Sequence, residues 1–276
     1  MRAIALTALC LLSASPVSRA FASSFATEVV SYTAGANATP GYLDPNTALG
    51  SPRRVNGEPP FESGLTPFNA PYEATDVVSI GTGGSLVVRF DHPVADDASN
   101  RFGVDLLVFG NTFYAVDGSG TSAEPGRIAV SQDGVTWFDV AAVHADGELY
   151  PTFAYQDATD PFGSDGTVPS SYTRPVNPAL GPADFLGKST AEIAALYAGS
   201  GGGAGIDLAP LGLPWIEYVK VYQLAGDGAA SDIDAFADVP EPAVGALLGV
   251  AALGLTSSRA RRSRPSRRAA RCARAR

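Results

Sequence analysis

The chain has 276 residues, which is long enough to bury a full hydrophobic core in one or two domains. Charged residues make up 17% of it and apolar residues 45%, which excludes a disordered polyelectrolyte and a polytopic membrane protein. Residues 23–239 contain 27 acidic and 8 basic side chains, a net charge of -19. A segment this acidic repels nucleic acid and attracts divalent cations, so we exclude a DNA-binding role.

The first 22 residues have the three parts of a secretory signal. Arg2 supplies a positive start, residues 3–14 form an apolar run, and Ala20-Phe21-Ala22 places small residues where signal peptidase reads them. The sequence therefore predicts a signal peptide over residues 1–22, removed by signal peptidase after Ala22, and an exported protein.

Residues 23–239 are predicted to form one all-β domain, a β-sandwich of the jelly-roll type. Short β-type runs recur between turns rich in glycine and proline, and in residues 85–90 the apolar side chains alternate onto one face. The predicted strands are 25–32, 77–80, 85–90, 104–109, 127–130, 135–140 and 215–224. Many short strands with this punctuation are typical of sandwiches.

An Asp-Gly pair between two of these runs predicts a tight hairpin, because glycine accepts a positive φ and aspartate bonds its own turn. The pattern Ser131-x-Asp133-Gly134-x-x-Trp137 resembles the hairpin of discoidin and other galactose-binding-like jelly rolls. The resemblance implies an architectural role for the hairpin, so Trp137 is expected to be a core or inter-sheet residue, and the alternative is that it stacks on a sugar ring. Together with segments 102–111, 204–209 and 231–236, this hairpin makes residues 23–239 similar to a family of bacterial cell-surface proteins. The family resemblance implies no enzymatic reaction.

One short helix is predicted after residue 188. Ser189 and Glu192 stand three residues apart in a capping box, and the apolar run that follows ends at a glycine-rich stretch over 199–205.

The C-terminal segment, residues 240–276, resembles the PEP-CTERM sorting signal of bacterial exported proteins. It consists of the motif Pro240-Glu241-Pro242, an uncharged run over 243–255 and nine arginines between 259 and 276. The resemblance implies a hydrophobic sorting helix and cleavage near the motif by an exosortase-type membrane peptidase. It also implies delivery to the cell surface or extracellular matrix. The run of 13 residues is short for a permanent span, which needs roughly 20, so membrane contact is predicted only through this transient anchor.

Both cysteines, Cys10 and Cys272, lie in the segments predicted to be removed. The mature domain then lacks thiols and disulfides, and must be stabilised by its core, by bound metal or by both.

Four aspartates are candidate Ca²⁺ ligands, because each lies near the start or end of a β-type run and Ca²⁺ prefers oxygen ligands. They are Asp105, Asp207, Asp232 and Asp234. Asp232 and Asp234 are two residues apart and would share one face of a regular strand. The alternative is that these carboxylates cap turns or accept hydrogen bonds from backbone amides.

No catalytic motif is recognised. The two histidines, His92 and His144, are 52 residues apart and lack the spacing of a zinc site, and no nucleophile elbow or EF-hand loop occurs. Paired carboxylates remain available for glycoside hydrolysis, since acidic residues are abundant.

We therefore expect an exported, non-catalytic surface or matrix protein, stabilised by calcium, with an extracellular polysaccharide as its candidate partner. Aromatic side chains in loop-like segments could stack on sugar rings, although they could equally cover the ends of the sandwich. They are Phe113, Tyr114, Tyr150, Phe153, Tyr155 and Tyr172, of which Tyr114, Tyr150 and Tyr155 are the candidate ligand-binding residues. The alternatives are an extracellular polysaccharide hydrolase that uses two carboxylates and an adhesin that self-associates through calcium.

Overall fold

A computed structural model describes residues 22–240, which consist mainly of antiparallel β-strands. The strands are β1 (Glu28–Thr33), β2 (Val55–Asn56), β3 (Ser63–Gly64), β4 (Val78–Ile80), β5 (Ser85–Ala95), β6 (Leu106–Gly110), β7 (Phe113–Tyr114), β8 (Thr121–Ser122), β9 (Gly126–Ser131), β10 (Phe138–Ala145), β11 (Ala204–Ile206), β12 (Trp215–Tyr222) and β13 (Ser231–Asp238). The helices are the single turn α1 (Pro182–Phe185) and α2 (Thr190–Tyr197), with three short 3₁₀ turns. The predicted signal peptide, apart from Ala22, and the sorting segment beyond Pro240 lie outside these residues.

Two sheets face each other across the main core. The larger has the strand order β1-β5-β12-β9-β10 and the smaller β11-β6-β13-β4, and all these pairs are antiparallel. The hairpins β2-β3 and β7-β8 lie outside both sheets. The prediction of an all-β sandwich with a short helix is confirmed at this level.

The main core forms between the sheets because apolar side chains alternate along the strands. Leu86, Val88 and Phe90 of β5 are fully buried in it, as the alternation predicted. The smaller sheet contributes Val108 from β6 and Phe236 from β13.

Strand β13 lies between β6 and β4 in the smaller sheet and was not among the predicted strands. Ile233 and Phe236 face the main core, and seven of its eight residues are buried. The pairing with β6 shifts between Ile233 and Ala235, a β-bulge that changes the alternation of side chains. The expectation that Asp232 and Asp234 share one face, which holds for a regular strand, therefore does not apply here.

The long connection between β10 and β11 forms a second, largely aromatic core of its own. Phe153 packs edge-on against Tyr197 of α2, and Tyr197 packs edge-on against Phe185 of α1. The capping box that starts α2 is confirmed, because the Ser189 Oγ accepts from the Glu192 N–H and a Glu192 carboxylate oxygen accepts from the Ser189 N–H at 2.9 Å. The connection is thus an ordered part of the domain.

The Asp133-Gly134 turn joins β9 to β10, but it is longer than a tight hairpin. Asp133 Oδ1 accepts from the backbone N–H groups of Val135 and Thr136, at 2.8 and 2.7 Å. Gly134 has a φ of +72°, and β10 begins only at Phe138. Trp137 is half-buried and its ring lies 4.6 Å from the ammonium of Lys220, so it is not a core residue.

The two ends of the described chain lie side by side. The backbone N–H of Asp238 donates to the carbonyl of Ser24 at 2.8 Å, and that of Ala26 donates to Phe236 at 3.1 Å. One residue further on, Val239 donates to the carbonyl of Asp105 at 2.9 Å. We call this end of the sandwich the chain-exit end. Within residues 22–240, no helix combines the length and apolarity that a bilayer crossing requires.

The position of β13 in the core is testable by truncating its largest side chain. Phe236→Ala is expected to lower the free energy of unfolding by about 3–5 kcal/mol, because it removes a fully buried ring and leaves a cavity. The matched control Phe138→Ala removes a ring that is 36% exposed and is expected to cost about 1 kcal/mol or less. Guanidinium denaturation measures both, and equal losses would contradict the assignment of β13 to the core.

Candidate functional site

Three carboxylates converge near the chain-exit end. Asp96 follows β5, Asp105 precedes β6 and Asp207 follows β11. One carboxylate oxygen of each lies within 4.8 Å of the others. That separation matches the span between two ligands of one Ca²⁺ ion, whose oxygen ligands lie at about 2.3–2.6 Å. We call this group the aspartate triad.

Asp105 is held rigidly in the triad. Its Oδ2 accepts from the Leu208 N–H at 3.0 Å, and its Oδ1 accepts from the Asp97 N–H at 3.1 Å and from Asn100 Nδ2 at 3.0 Å. Burial raises the pKa of the Asp105 carboxyl despite these donors, and the neighbouring Asp96 charge raises it further. A cation bound here would reduce this repulsion.

Asp232 lies at the opposite end of β13 from the triad, in a different environment. Its Oδ2 accepts from Asn111 Nδ2 at 3.2 Å, and its backbone N–H donates to Asp146 Oδ2 at 3.1 Å. Burial raises the pKa of Asp232 and raises that of Asp146 well above its ordinary range. Asp146 is therefore a buried acceptor that joins the end of β10 to β13.

Asp234 is in a third environment, next to Asp76 and Arg53. The Arg53 guanidinium pairs with Asp76 Oδ1 at 2.9 Å. Both carboxylates are buried, and the second oxygen of each, Oδ2, has no hydrogen-bond partner among residues 22–240. Burial, and then the Asp76 charge, raise the pKa of Asp234 well above its ordinary range.

The four predicted calcium ligands therefore do not form one site. The carboxylates of Asp105 and Asp207 lie close together. Asp232 and Asp234, which are both on β13, each have different neighbours. Asp96 joins the first two and was missed. The predicted strand over residues 85–90 continues to Ala95 in the structure, so its end did not point to Asp96, and pairing Asp96 with Asp105 and Asp207 required the order of the strands.

The three predicted sugar-stacking tyrosines are all at least partly covered. Tyr114 is 1% exposed and its ring is stacked on Phe185 with 5.7 Å between centroids, so no ring face is free for a ligand. Tyr150 is 7% exposed, its hydroxyl donates to the Leu180 carbonyl at 2.9 Å, and burial raises its pKa to about 12. Tyr155 is half-buried beside Arg54. Their alternative role, covering the end of the sandwich, fits Tyr114 and Tyr150.

Five cavities of about 200–460 Å³ open on the described part of the chain. Tyr150, His144 and Glu148 line the largest of them. Each of the five is lined by at most one carboxylate, so none offers the pair of acids that glycoside hydrolysis requires. Pro240 of the predicted sorting motif is exposed beside the cavity that contains His92, and Glu241 and Pro242 lie outside the described residues.

No protein-family model matches this chain, and neither does any curated protein sequence.

The Asp76–Asp234 pair predicts a pH-dependent contribution to stability. The pKa of Asp234 is raised in the folded state, so the folded protein holds this proton more tightly than the unfolded chain does. The bound proton therefore contributes to the free energy of unfolding at low pH. That contribution is lost as pH rises from the ordinary aspartate pKa through the raised one. Asp234→Asn has no proton to lose. At pH 8 it is expected to be more stable than the parent, because only the parent has lost this contribution.

Denaturation at pH 4, 6 and 8 measures this difference, which should shrink toward pH 4. Asp76→Asn is the control, since it removes the partner of Arg53 and is expected to destabilise the protein at pH 6 and pH 8. A lower stability of Asp234→Asn at pH 8 would show that Asp234 is ionised and compensated in the fold.

Proposed function

We propose that this protein is an exported, non-catalytic component of the cell surface or extracellular matrix, with a calcium-stabilised sandwich that binds a carbohydrate polymer. In this proposal signal peptidase removes residues 1–22, and an exosortase-type peptidase cleaves near Pro240-Glu241-Pro242. The observation that best supports it is the chain-exit end, where Ser24 and Asp238 are hydrogen-bonded neighbours. Both processed segments then extend from one end of the domain.

This arrangement suits a domain tethered by its C-terminal segment. Strand β13 runs from Ser231 to Asp238, so its two ends are about 23 Å apart at 3.3 Å per residue. A tether leaving at Val239 keeps the Ser231 end away from the anchor. That distant end is free to contact material outside the cell.

We also propose that the sandwich is a jelly roll of the galactose-binding-like kind. Along the chain the longer strands pass repeatedly between the two sheets, from β4 to β5 to β6 to β9, and again from β10 to β11 to β12 to β13. This alternation supports a jelly roll of the galactose-binding-like kind. The Ser131–Trp137 turn, with its Asp133 acceptor, adds local support.

Processing is tested by producing the full chain in a host that has an exosortase-type peptidase and in the same host without it. With the peptidase, the protein at the surface or in the medium is expected to have lost the arginine segment, as intact mass measurement shows. Without it, or with Glu241→Ala, uncleaved protein should accumulate in the membrane fraction. Released protein that still carries the arginine segment would contradict the proposal.

In this proposal the aspartate triad binds calcium. The triad keeps Asp105 and Asp207 of the four residues predicted from sequence and adds Asp96. Asp105 is a preorganised ligand, and Asp207 is exposed, so water can complete the roughly six to eight positions that Ca²⁺ requires. The acidic body, with its net charge of -19, raises the local concentration of divalent cations.

Millimolar Ca²⁺ is expected to raise the melting temperature of the purified protein by several degrees relative to chelator, because a ligand that binds only the folded state stabilises it. Asp207→Asn should lose most of this shift. Asp117→Asn is the matched control, since both carboxylates accept from the backbone N–H two residues on, Ala209 for Asp207 and Ser119 for Asp117, at 2.9 Å. An unchanged calcium shift in Asp207→Asn would exclude the triad, and no shift in the parent would exclude calcium.

A further inference from the structure

Several aromatic side chains are exposed on loops that lie next to one another. They are Phe61 (86% exposed), Tyr72 (53%), Phe113 (39%) and Phe162 (60%). Hydrogen bonds join these loops: the Gly64 N–H donates to Gly163 at 2.8 Å, Asn69 Nδ2 donates to Gly64 at 2.9 Å, and the Tyr114 N–H donates to Pro67 at 2.7 Å. We call this set of exposed rings the aromatic end.

The Tyr72–Phe113 part of the aromatic end lies away from the chain-exit end. Phe113 follows β6 shortly after Gly110, and Gly110 is opposite Ile233 near the start of β13. Leu106, at the other end of β6, is opposite Asp238. The two exposed rings therefore stand where a tethered domain would present them outward.

Tyr72 and Phe113 border a shallow cavity of about 200 Å³. Phe68 and Pro71 supply its apolar lining, and Asn69 and Asn111 supply its amides. The backbone around the two rings is fixed, since the Tyr42 hydroxyl donates to the Tyr72 carbonyl at 2.8 Å and Phe113 pairs with Ser122 in the β7-β8 hairpin. We call this cavity the Tyr72–Phe113 cleft.

Asn111 gives the cleft an oriented hydrogen-bond acceptor. Its Nδ2 donates to Oδ2 of the buried Asp232 at 3.2 Å, and this amide nitrogen can only donate. The amide is therefore turned so that Oδ1 points away from Asp232. Oδ1 has no hydrogen-bond partner within residues 22–240 and can accept from a ligand hydroxyl.

A sugar ring fits these features. Its C–H faces pack on exposed aromatic rings, while its hydroxyls donate to an acceptor such as Asn111 Oδ1. The body's net charge of -19 disfavours acidic polymers, which would be repelled at long range.

We propose that the Tyr72–Phe113 cleft binds a hexopyranose residue of an uncharged polysaccharide. This inference rests on the proposed function. It gives the proposed carbohydrate binding a location on the domain and a class of ligand. Tyr72 and Phe113 provide the stacking faces and Asn111 accepts from a hydroxyl. The site replaces the tyrosines that the sequence suggested, of which two are buried and the third is half-buried.

The test is affinity electrophoresis of the purified protein in gels containing laminarin, dextran, galactomannan or the acidic polymer alginate. The parent is expected to be retarded by at least one neutral polymer and not by alginate. Tyr72→Ala and Phe113→Ala should each weaken that retardation about tenfold, the loss of a good aromatic contact. Phe138→Ala, which removes a ring of similar exposure on β10, is the matched control and should bind like the parent.

Each remaining outcome contradicts a definite part of the proposal. Binding that persists in Tyr72→Ala and Phe113→Ala, at unchanged melting temperature, excludes the cleft but leaves carbohydrate binding intact. Retardation by alginate alone excludes the neutral ligand class. If the parent binds none of the four polymers, the cleft assignment is wrong, and the export and processing experiment separately decides whether the surface location stands.

Discussion

Strand β13 is an acidic strand in the middle of the smaller sheet, between β6 and β4, and the surrounding segments are arranged around that burial. Ile233 and Phe236 must fill the main core, and this forces two neighbouring carboxylates, Asp232 and Asp234, out of water. Burying a charge is costly unless it is paired or protonated. The segments that cover the sheet supply partners for this reason: Asn111 reaches Asp232, and the Arg53–Asp76 pair lies beside Asp234.

The same strand gives the domain two distinct ends. Its last residues hold the N-terminal segment through Ser24 and the Asp105 loop through Val239, so the chain enters and leaves at one place. Its first residues lie beside Asn111 and hence beside the Tyr72–Phe113 cleft. A single strand thus connects the proposed anchoring end to the proposed binding end.

Local signals in the sequence predicted much of the fold. The alternation over residues 85–90 and the capping box of α2 depend only on near neighbours, and both are present. Strand β13 is absent from the predicted strands, although Asp232 and Asp234 were placed near the end of a β-type run. Aspartate is depleted in strands, and only long-range partners make two of them acceptable in this one. The position of Trp137 was also wrong, because the turn after Asp133 is longer than two residues and delays the start of β10.

The candidate sites were less predictable because they depend on how distant strands are placed together. Asp96, Asp105 and Asp207 come from three strand ends whose proximity follows from the sheet order, and Asp207 is 102 residues from Asp105 in the chain. Likewise, aromatic side chains in loops cannot be sorted by sequence into covering and exposed rings. Tyr114 is covered while its neighbour Phe113 is exposed, since successive residues of a strand point to opposite faces.

The contrast between the two acidic sites explains why calcium is assigned to the triad and not to β13. At Asp234 the Arg53 guanidinium already supplies one positive charge to two carboxylates, so a single proton neutralises the group. A divalent ion there would leave a buried excess of positive charge. Among the ion pairs of residues 22–240 none involves the triad, and a divalent cation would reduce the charge of three carboxylates without a basic partner from -3 to -1. Because Asp105 also accepts the Val239 N–H through its carbonyl, an ion held by the triad would stiffen the point where the chain leaves the domain.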